Sequence, residues 1–316
     1  MGLDGIPLAW LSRVCAPVLT YHAAFWELPP GVAAVDNVNP EWMYEQVSRL
    51  KRHFQILSID EFCLAKTRKG IAAITFDDGY QCVIDNALPV FTALSVPFTI
   101  FVNSSCMLGK PFWRHKLVYL ENSGLAGEFE ACLRRVRKVP GETLHAYSKN
   151  PANPSAVVEE ELDRFLASRG ITFEGGGYLF DDARFLIDHP LVWYGNHSEH
   201  HYVLSSLSRA EQEREIQATR EFLEGFRHIK ISSVFAAPFG QRHHINGDTF
   251  AILRDLGYRA VLLNRNEVNP VRAVPAGPVE ILDRVHAEEG QLGIQLKKAY
   301  LRTYLSRRRN RCESYN

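Results

Sequence analysis

The chain has 316 residues, a length that fits two small domains or one α/β barrel with a sizeable core. Lysine plus arginine equals aspartate plus glutamate at 36 each, so no global charge argues for nucleic acid or for an acidic partner. The six cysteines are scattered, no secretory leader pattern precedes the first strand, and no apolar run approaches the ~20 residues that span a bilayer, so we expect a cytoplasmic protein with reduced thiols.

The first third of the chain alternates predicted strands and helices. Val18–His22 predicts a strand, and His22 at its end is either a packed side chain or one that reaches a site. From Pro40 onward apolar residues recur at helical spacing, and 56–59 predicts a short strand. Such alternation indicates a largely parallel sheet with helices outside it.

The stretch Ile71–Tyr80 combines a buried strand with two adjacent carboxylates. Its apolar, β-branched residues end at Asp77 and Asp78, and Gly79 permits a tight turn directly afterwards. In α/β folds, ligands bind at the carboxyl edge of the sheet, so both carboxylates are candidate site residues. The alternative is an acidic turn without function.

A helix over Cys82–Leu94 and a buried strand over 97–102 are predicted next, and the alternation then stops. We interpret about 104–188 as an insertion with three helix-like pieces, 114–122, 128–136 and 157–168, and turn-rich joins such as 175–177. Insertions on a rigid scaffold often determine specificity, so this one is expected to cover the site. Trp113 either stacks on a ligand or packs in the core. The pattern over 181–187 predicts a further helix.

The second cluster of polar residues is Gly195–His201, after the apolar run 190–194. His197 and His201 are four residues apart, so a helical turn would place both on one face. With one carboxylate they form a His₂Asp set that suits a divalent metal with an open position for water. His197 with His200 is a competing pair, and a surface histidine cluster is the non-functional alternative.

The last third contains a predicted amphipathic helix at 208–226, a strand at 231–236 and a final strand at 279–286. Period-two alternation places Leu282, Arg284 and His286 on one face of that final strand. Residues 291–316 form a basic C-terminal segment whose helical pattern predicts either a packed helix or peripheral contact with the inner membrane surface.

At these motifs the chain resembles the polysaccharide deacetylases of the NodB-homology type, carbohydrate esterase family 4. Thr75–Gly79 is similar to the family's first motif, His197–His201 to its His-Ser/Thr-x-x-His motif, and Phe235–Gly240 to its third motif. The resemblance covers most of 15–286 in the expected order. It implies an α/β fold, a distorted (β/α) barrel in which 1–316 forms a single catalytic domain with a largely helical insertion.

The resemblance also implies a chemistry. Asp78, His197 and His201 would hold a divalent ion, Zn²⁺ in the first place and Co²⁺, Ni²⁺ or Fe²⁺ as alternatives. Asp77 would be the general base in hydrolysis of the N-acetyl group of an amino sugar, releasing acetate. Tyr80, Pro238, Phe239 and Gly240 are expected to contact the substrate or, through the Phe239 N–H, the oxyanion.

One position departs from the family pattern. The arginine that orients the catalytic carboxylate lies two residues before the proline in the family, where this chain has Ala236. We expect Arg284 to replace it and His286 to be the general acid. Arg242 is the alternative arginine, and His243 and His244 are alternative histidines.

Three alternatives remain for the function. The same site suits hydrolysis of an O-acetyl ester, a formamide or a cyclic amide. The missing arginine also permits a non-catalytic sugar-binding relative, and a scaffold role for the insertion and the C-terminal segment is compatible with either.

Overall fold

A computed structural model describes residues 7–29, 36–173, 178–272 and 277–313, with side chains up to 306. The strands are β1 (Cys15–Ala16), β2 (Val18–Tyr21), β3 (Gln55–Leu57), β4 (Ile71–Phe76), β5 (Phe98–Val102), β6 (Val192–Asn196), β7 (Ile231–Ala236), β8 (Ala260–Leu263), β9 (Asn269–Pro270), β10 (Glu280–Asp283) and β11 (Val285–His286).

Eight of these strands form a nearly closed parallel barrel. Their hydrogen-bonded order is β10-β8-β7-β6-β5-β4-β2-β11, with β3 paired to β4. Both edges belong to one segment, because β10 pairs with β8, β11 pairs with β2, and only Arg284 separates them. The segment 280–286 therefore closes the barrel, and the predicted distorted (β/α) barrel is confirmed.

The helices surround this sheet. They are α1 (Leu8–Val14), α2 (Pro40–Lys51), α3 (Ile59–Leu64), α4 (Leu88–Leu94), α5 (Ser104–Met107), α6 (Trp113–Asn122), α7 (Ala126–Cys132), α8 (Leu144–Tyr147), α9 (Ser155–Ser168), α10 (Arg209–Glu224), α11 (Gly247–Asp255) and α12 (Leu292–Glu313). A π-helical turn over Val83–Ala87 leads into α4. Ser208 begins α10 with a reciprocal bond to Glu211, a capping box that the sequence favours.

Two apolar layers hold the barrel together. Its interior is filled by small and branched side chains from successive strands, including Val18, Ala73, Val234, Leu262 and Leu282. The larger outer layer joins the sheet to α2, α4 and the helices of 104–188. Burial on both faces explains why β4 and β5 are continuous apolar runs rather than alternating ones.

Some predicted boundaries were wrong. Ile59 begins α3 instead of ending a strand, since the Ser58 side chain caps that helix together with Glu61. The helix predicted over 181–187 is only a 3₁₀ turn over Ala183–Phe185. The helix predicted over 128–136 lies at Ala126–Cys132, and the predicted glycine join 175–177 lies outside the described residues.

Between β5 and β6 the chain runs through 104–188, which we call the insertion, and it carries α5 to α9. At the other end, Leu292 and Leu296 of α12 are buried against the core, whereas Tyr304 and Leu305 are exposed. The arginines predicted for membrane contact at 307–309 and 311 lie outside the described side chains. No described helix combines the length and apolarity needed to cross a membrane.

Candidate active site

The first site loop follows β4. Asp78 and Gly79 both adopt left-handed backbone conformations, with φ of 70° and 74°. A Cβ on Gly79 would lie 3.2 Å from Val102 Cγ1 and 3.3 Å from the Phe180 ring, so this position favours glycine sterically as well as conformationally. The turn brings both Asp77 and Asp78 to the wall of a cavity at the carboxyl end of the strands.

The second site loop follows β6 and corrects a prediction. Residues 197–201 form a turn instead of a helix, with φ of 66° at Ser198 and 59° at His201. The Asn196 side chain accepts a hydrogen bond from the Ser198 N–H, and Ser198 Oγ accepts one from the His201 N–H. This folded turn still brings the rings of His197 and His201 to 4.7 Å.

Asp78, His197 and His201 converge on one point. The Nε2 atoms of both histidines lie 3.5 Å from Asp78 Oδ1. That oxygen is buried and has no hydrogen-bond partner among the described residues. His197 Nδ1 lies 2.8 Å from the Ala236 carbonyl and donates to it, which leaves the Nε2 lone pair directed at Asp78.

The electrostatics of these three residues suit a cation. Burial lowers the pKa of His201 to about 3, so its ring is neutral at physiological pH. Burial alone would lower the pKa of His197, but Asp77 and Asp78 raise it. An unpaired buried carboxylate oxygen beside two imidazole nitrogens is costly unless a cation lies between them. The residues therefore fit a divalent metal ion.

His200, the competing ligand, is directed elsewhere. Its Nδ1 lies 2.7 Å from Glu215 Oε1, and its ring stacks on Tyr202. It therefore lies outside the Asp78 cluster and forms a separate group with Glu199 and Glu215.

Asp77 is held by an arginine from the closing segment. The Arg284 guanidinium binds it through both oxygens at 2.6 Å, and both side chains are almost fully buried. Burial would raise the pKa of Asp77, but Arg284 and then His197 hold it below its usual value. Of the two candidate arginines, Arg284 is the one that binds Asp77, whereas Arg242 is exposed.

Ala236, which stands where the family has its arginine, is fully buried in the apolar cluster of the barrel interior. The break between β10 and β11 occurs at Arg284, whose N–H donates to the Leu263 carbonyl at 2.8 Å.

The predicted general acid, His286, lies outside the lining of the cavity. It faces a neighbouring depression, and its Nε2 is 3.6 Å from Asp36. His22 lines the cavity instead, with its ring 5.4 Å from that of His286. The pairing of Tyr21 with Phe76 sets His22 beside Asp77 in the neighbouring strand end.

The third site loop, 237–240, follows β7. Phe239 has a φ of 60° and packs its ring edge-on to His201 at 4.6 Å. Gly240 is constrained, because a Cβ there would lie 2.4 Å from the Asn264 amide nitrogen. Of the four predicted contact residues, Phe239 and Tyr80 line the cavity, whereas Pro238 and Gly240 lie buried in the turns that shape it.

The cavity itself measures about 290 Å³. The insertion contributes side chains to its wall that sequence reasoning missed: Phe112, Arg114, His115, Val118, His145 and Lys149. Trp113, which was considered for stacking, is instead buried in the core. Among the alternative histidines, His244 lines the cavity and His243 is exposed beside it. Residues near the start of α6 and residues around α8, about 30 positions later, line the same cavity. No local sequence pattern indicates that they meet.

Paired carboxylates and histidines thus lie at the carboxyl edge of a parallel barrel, the edge at which barrel enzymes have their active sites. The chain matches the polysaccharide deacetylase family over residues 65–137 and 180–261, and the unmatched stretch between them lies within the insertion. No curated protein matches the chain.

Solved structures share the fold. The Streptococcus pyogenes deacetylase PplD in complex with acetate superposes with a TM-score of 0.54 at 18% identity, covering 91% of this chain and 98% of that one. IcaB from Ammonifex degensii superposes with a TM-score of 0.52 at 17% identity, covering 86% and 92%. The family match and this fold place the chain in the polysaccharide deacetylase family, and they support a deacetylase activity.

Proposed function

We propose that the protein is a metal-dependent N-deacetylase that hydrolyses the acetamido group of an amino sugar. The observation that carries this proposal is the unpartnered, buried Asp78 Oδ1, 3.5 Å from two imidazole nitrogens, immediately beside an arginine-held carboxylate. A ligand set and a candidate base at adjacent positions are what hydrolysis of an amide requires.

The ligands are Asp78, His197 and His201. Mixed imidazole and carboxylate ligands suit Zn²⁺ best, and Co²⁺, Ni²⁺ and Fe²⁺ are compatible with them. When bound, such an ion polarises the acyl carbonyl and lowers the pKa of water from about 15.7 towards about 7. The His197–Ala236 hydrogen bond fixes the tautomer that this role needs.

Asp77 is the general base. It takes a proton from the water that attacks the acyl carbon, while Arg284 fixes both of its oxygens in place. The same arginine keeps Asp77 ionised in a buried position, so the carboxylate is ready to accept a proton. The Phe239 N–H, at the turn after β7, is assigned to the oxyanion that forms at the carbonyl oxygen.

The departing amine needs a proton as the carbon–nitrogen bond breaks. We assign this step to the pair of His22 and His286, with His22 as the member that lines the cavity. Burial and the neighbouring His22 lower the pKa of His286, which favours its neutral form, so His22 is the member assigned to deliver the proton. Acetate and a free amino sugar are the products.

The alternative of a non-catalytic sugar-binding protein was prompted by Ala236. Because Arg284 binds Asp77 from another strand, the loss of arginine at 236 no longer argues against turnover. Hydrolysis of an ester, a formamide or a cyclic amide stays an alternative for the same residues.

The test is acetate release by metal-quantified wild type and Asp77→Asn from a panel of N-acetylated sugars and glycan oligomers. We expect about one metal ion per chain in both proteins, with release by wild type and a loss of about 10²-fold or more in the variant. Failure to bind any divalent ion after reconstitution would overturn the proposal. Sugar binding without acyl release by the metal-loaded wild type would favour the binding protein.

A further inference from the structure

Arg114, at the start of α6, is buried without a carboxylate. Its side chain donates to Ser148 Oγ at 2.9 Å and to the His145 ring at 2.8 Å, both neutral partners from the insertion. Two other fully buried arginines, Arg68 and Arg284, each hold a carboxylate at 2.6 Å. A buried guanidinium is costly without a counter-charge, so Arg114 is the exception among the described buried arginines.

Lys149 adds a second cation to the same wall. It makes no ion pair among the described residues, and its Nζ lies 5.7 Å from the centre of the Phe239 ring. Arg114 Cζ lies 5.4 Å from the same ring centre. Both cations line the cavity, and both contact the phenyl ring that also packs on His201 of the proposed metal site.

Arg114 and Lys149 keep their positive charges at neutral pH, whereas the His145 ring is neutral. Burial and the neighbouring Arg114 lower the pKa of Lys149 to about 8, which leaves it mainly protonated at pH 7. Burial lowers the pKa of Arg114 only to about 10. Burial and then Arg114 lower the pKa of His145 to about 4, so its neutral ring accepts a hydrogen bond without neutralising the arginine.

The carboxylates that line the cavity are engaged elsewhere. Asp77 is bound by Arg284, and Asp78 faces the two histidines of the metal site. Asp36 is largely exposed and lies closest to His22 and His286. Asp36 and Glu121 raise the pKa of Lys149, but neither forms an ion pair with Lys149 or Arg114 among the described residues. The positive wall is therefore left for a ligand, and its composition defines the class of that ligand.

We propose that Arg114 and Lys149 bind a phosphate group carried on the anomeric oxygen of the substrate amino sugar, an inference that rests on the proposed N-deacetylase function. In a 2-acetamido sugar the acyl nitrogen and the anomeric oxygen are on adjacent carbons. An acetamido group at Asp78 and His201 therefore keeps an anomeric phosphate within the same cavity, whose wall carries the two cations. Arginine and lysine are the usual phosphate ligands.

The number of charges separates phosphate from other anions. A sugar carboxylate carries one charge and would satisfy one of the two cations, whereas a diphosphate linkage supplies a charge for each. A cavity of about 290 Å³ lies at the small end of the range for small-molecule sites, which suits one sugar and its linkage. The substrate class is thus an N-acetylhexosamine joined through phosphate to a nucleoside or a lipid.

The test compares kcat/KM of the metal-loaded enzyme across six probes: N-acetylglucosamine, its neutral β-1,4 trimer, N-acetylmuramic acid, N-acetylglucosamine 1-phosphate, UDP-N-acetylglucosamine and a short-chain prenyl diphosphate N-acetylglucosamine. We expect the phosphate-linked probes to exceed the neutral ones at least tenfold. The last two probes distinguish a nucleotide from a lipid source. Preference for the neutral trimer or for the carboxylate sugar would overturn the proposal.

Matched variants locate the binding group. Lys149→Met and Arg114→Gln should each reduce the ratio of kcat/KM for phosphate-linked over neutral probes about tenfold or more. Lys138→Met is the control, since Lys138 is an exposed lysine of the same insertion outside the cavity lining, and it should leave the ratio unchanged. If Arg114→Gln fails to fold, Lys149→Met alone decides, and an unchanged ratio in that variant would overturn the proposal.

A binding experiment separates this inference from the proposed function. Calorimetry on Asp77→Asn measures the affinity for N-acetylglucosamine 1-phosphate with Lys149 present and with Lys149→Met added. Loss of affinity in the double variant supports the anion site even if no probe releases acetate, an outcome that would defeat only the proposed function. Equal affinity in both would show that the phosphate binds the metal ion instead, and the inference fails.

Discussion

The barrel edge and the insertion face the same cavity, but they differ in whether their charged side chains have partners of opposite charge. On the barrel edge, Asp77 is held by Arg284, and Asp78 faces His197 and His201. On the insertion, Arg114 and Lys149 line the cavity without a carboxylate partner. The comparison teaches that the barrel edge balances its charges within the fold, whereas Arg114 and Lys149 of the insertion have no ion-pair partner among the described residues.

The largest expected effect comes from removing one of the proposed metal ligands at the barrel edge. His201→Ala should lower acetate release by about 10³-fold or more, since metal catalysis supplies several kcal/mol, and it should abolish stoichiometric metal binding. Metal content after dialysis and acetate release are the two measurements.

The adjacent residue supplies the control for that variant. His200→Ala should retain about one metal ion per chain, because His200 binds Glu215 instead of facing Asp78. Equal metal loss in both variants would mean that the Asp78 cluster is not the binding site, and the contrast between barrel edge and insertion would lose its basis.

A smaller effect is expected from replacing Arg284, the arginine that binds the proposed base Asp77. Arg284→Met leaves Asp77 buried and unpaired, so unfolding free energy should fall by about 3–5 kcal/mol and kcat by about 10²-fold. Adding Ala236→Arg restores a guanidinium at the position that the family uses, and it should recover part of both losses. Denaturant unfolding and acetate release measure them.

The stability and activity that Ala236→Arg recovers in Arg284→Met must be compared with a control variant. The control variant keeps Arg284 and carries Ala236→Arg together with Leu282→Met. It measures the effect of crowding the barrel interior, and it should be less active than wild type. If Arg284→Met is as stable and active as wild type, the ion pair with Asp77 contributes to neither property. The pairing of charges at the barrel edge would then have no effect on function.

The chain order of strands and helices was largely readable, because each strand of this barrel is a short apolar run with its own turn chemistry. Period-two alternation was enough to direct Arg284 inward, since side-chain direction along a strand depends only on local geometry. The same rule directed His286, but it contains no information on which cavity a strand end faces.

Two kinds of feature were not readable. The turn over 197–201 depends on left-handed residues at Ser198 and His201, which helical spacing does not signal. The cluster of Arg114, His145 and Lys149 depends on how α6 and α8 dock, and that is decided by tertiary packing of the insertion on the barrel. Local patterns identify the candidate site residues on the barrel, but non-local packing determines which residues of the insertion line the cavity.

The smallest effect tests whether the two regions also differ in packing. A Cβ on Gly195 would lie 2.3 Å from the Phe101 ring inside the barrel, so Gly195→Ala should destabilise the fold by about 1–3 kcal/mol. Gly127, exposed in α7 of the insertion, has nothing within 4 Å of an added Cβ. Gly127→Ala should therefore stabilise by about 0.5–1 kcal/mol through helix propensity.

Urea unfolding of both metal-loaded variants beside wild type measures these opposite shifts. They are expected because the barrel strands are packed on both faces, by the interior side chains and by the surrounding helices, whereas Gly127 on α7 is exposed. If both variants change the unfolding free energy with the same sign, the barrel interior accommodates an added methyl group as easily as a helix surface does. Arg284 and the ligand loops would then lack the rigid support that distinguishes the barrel edge from the insertion.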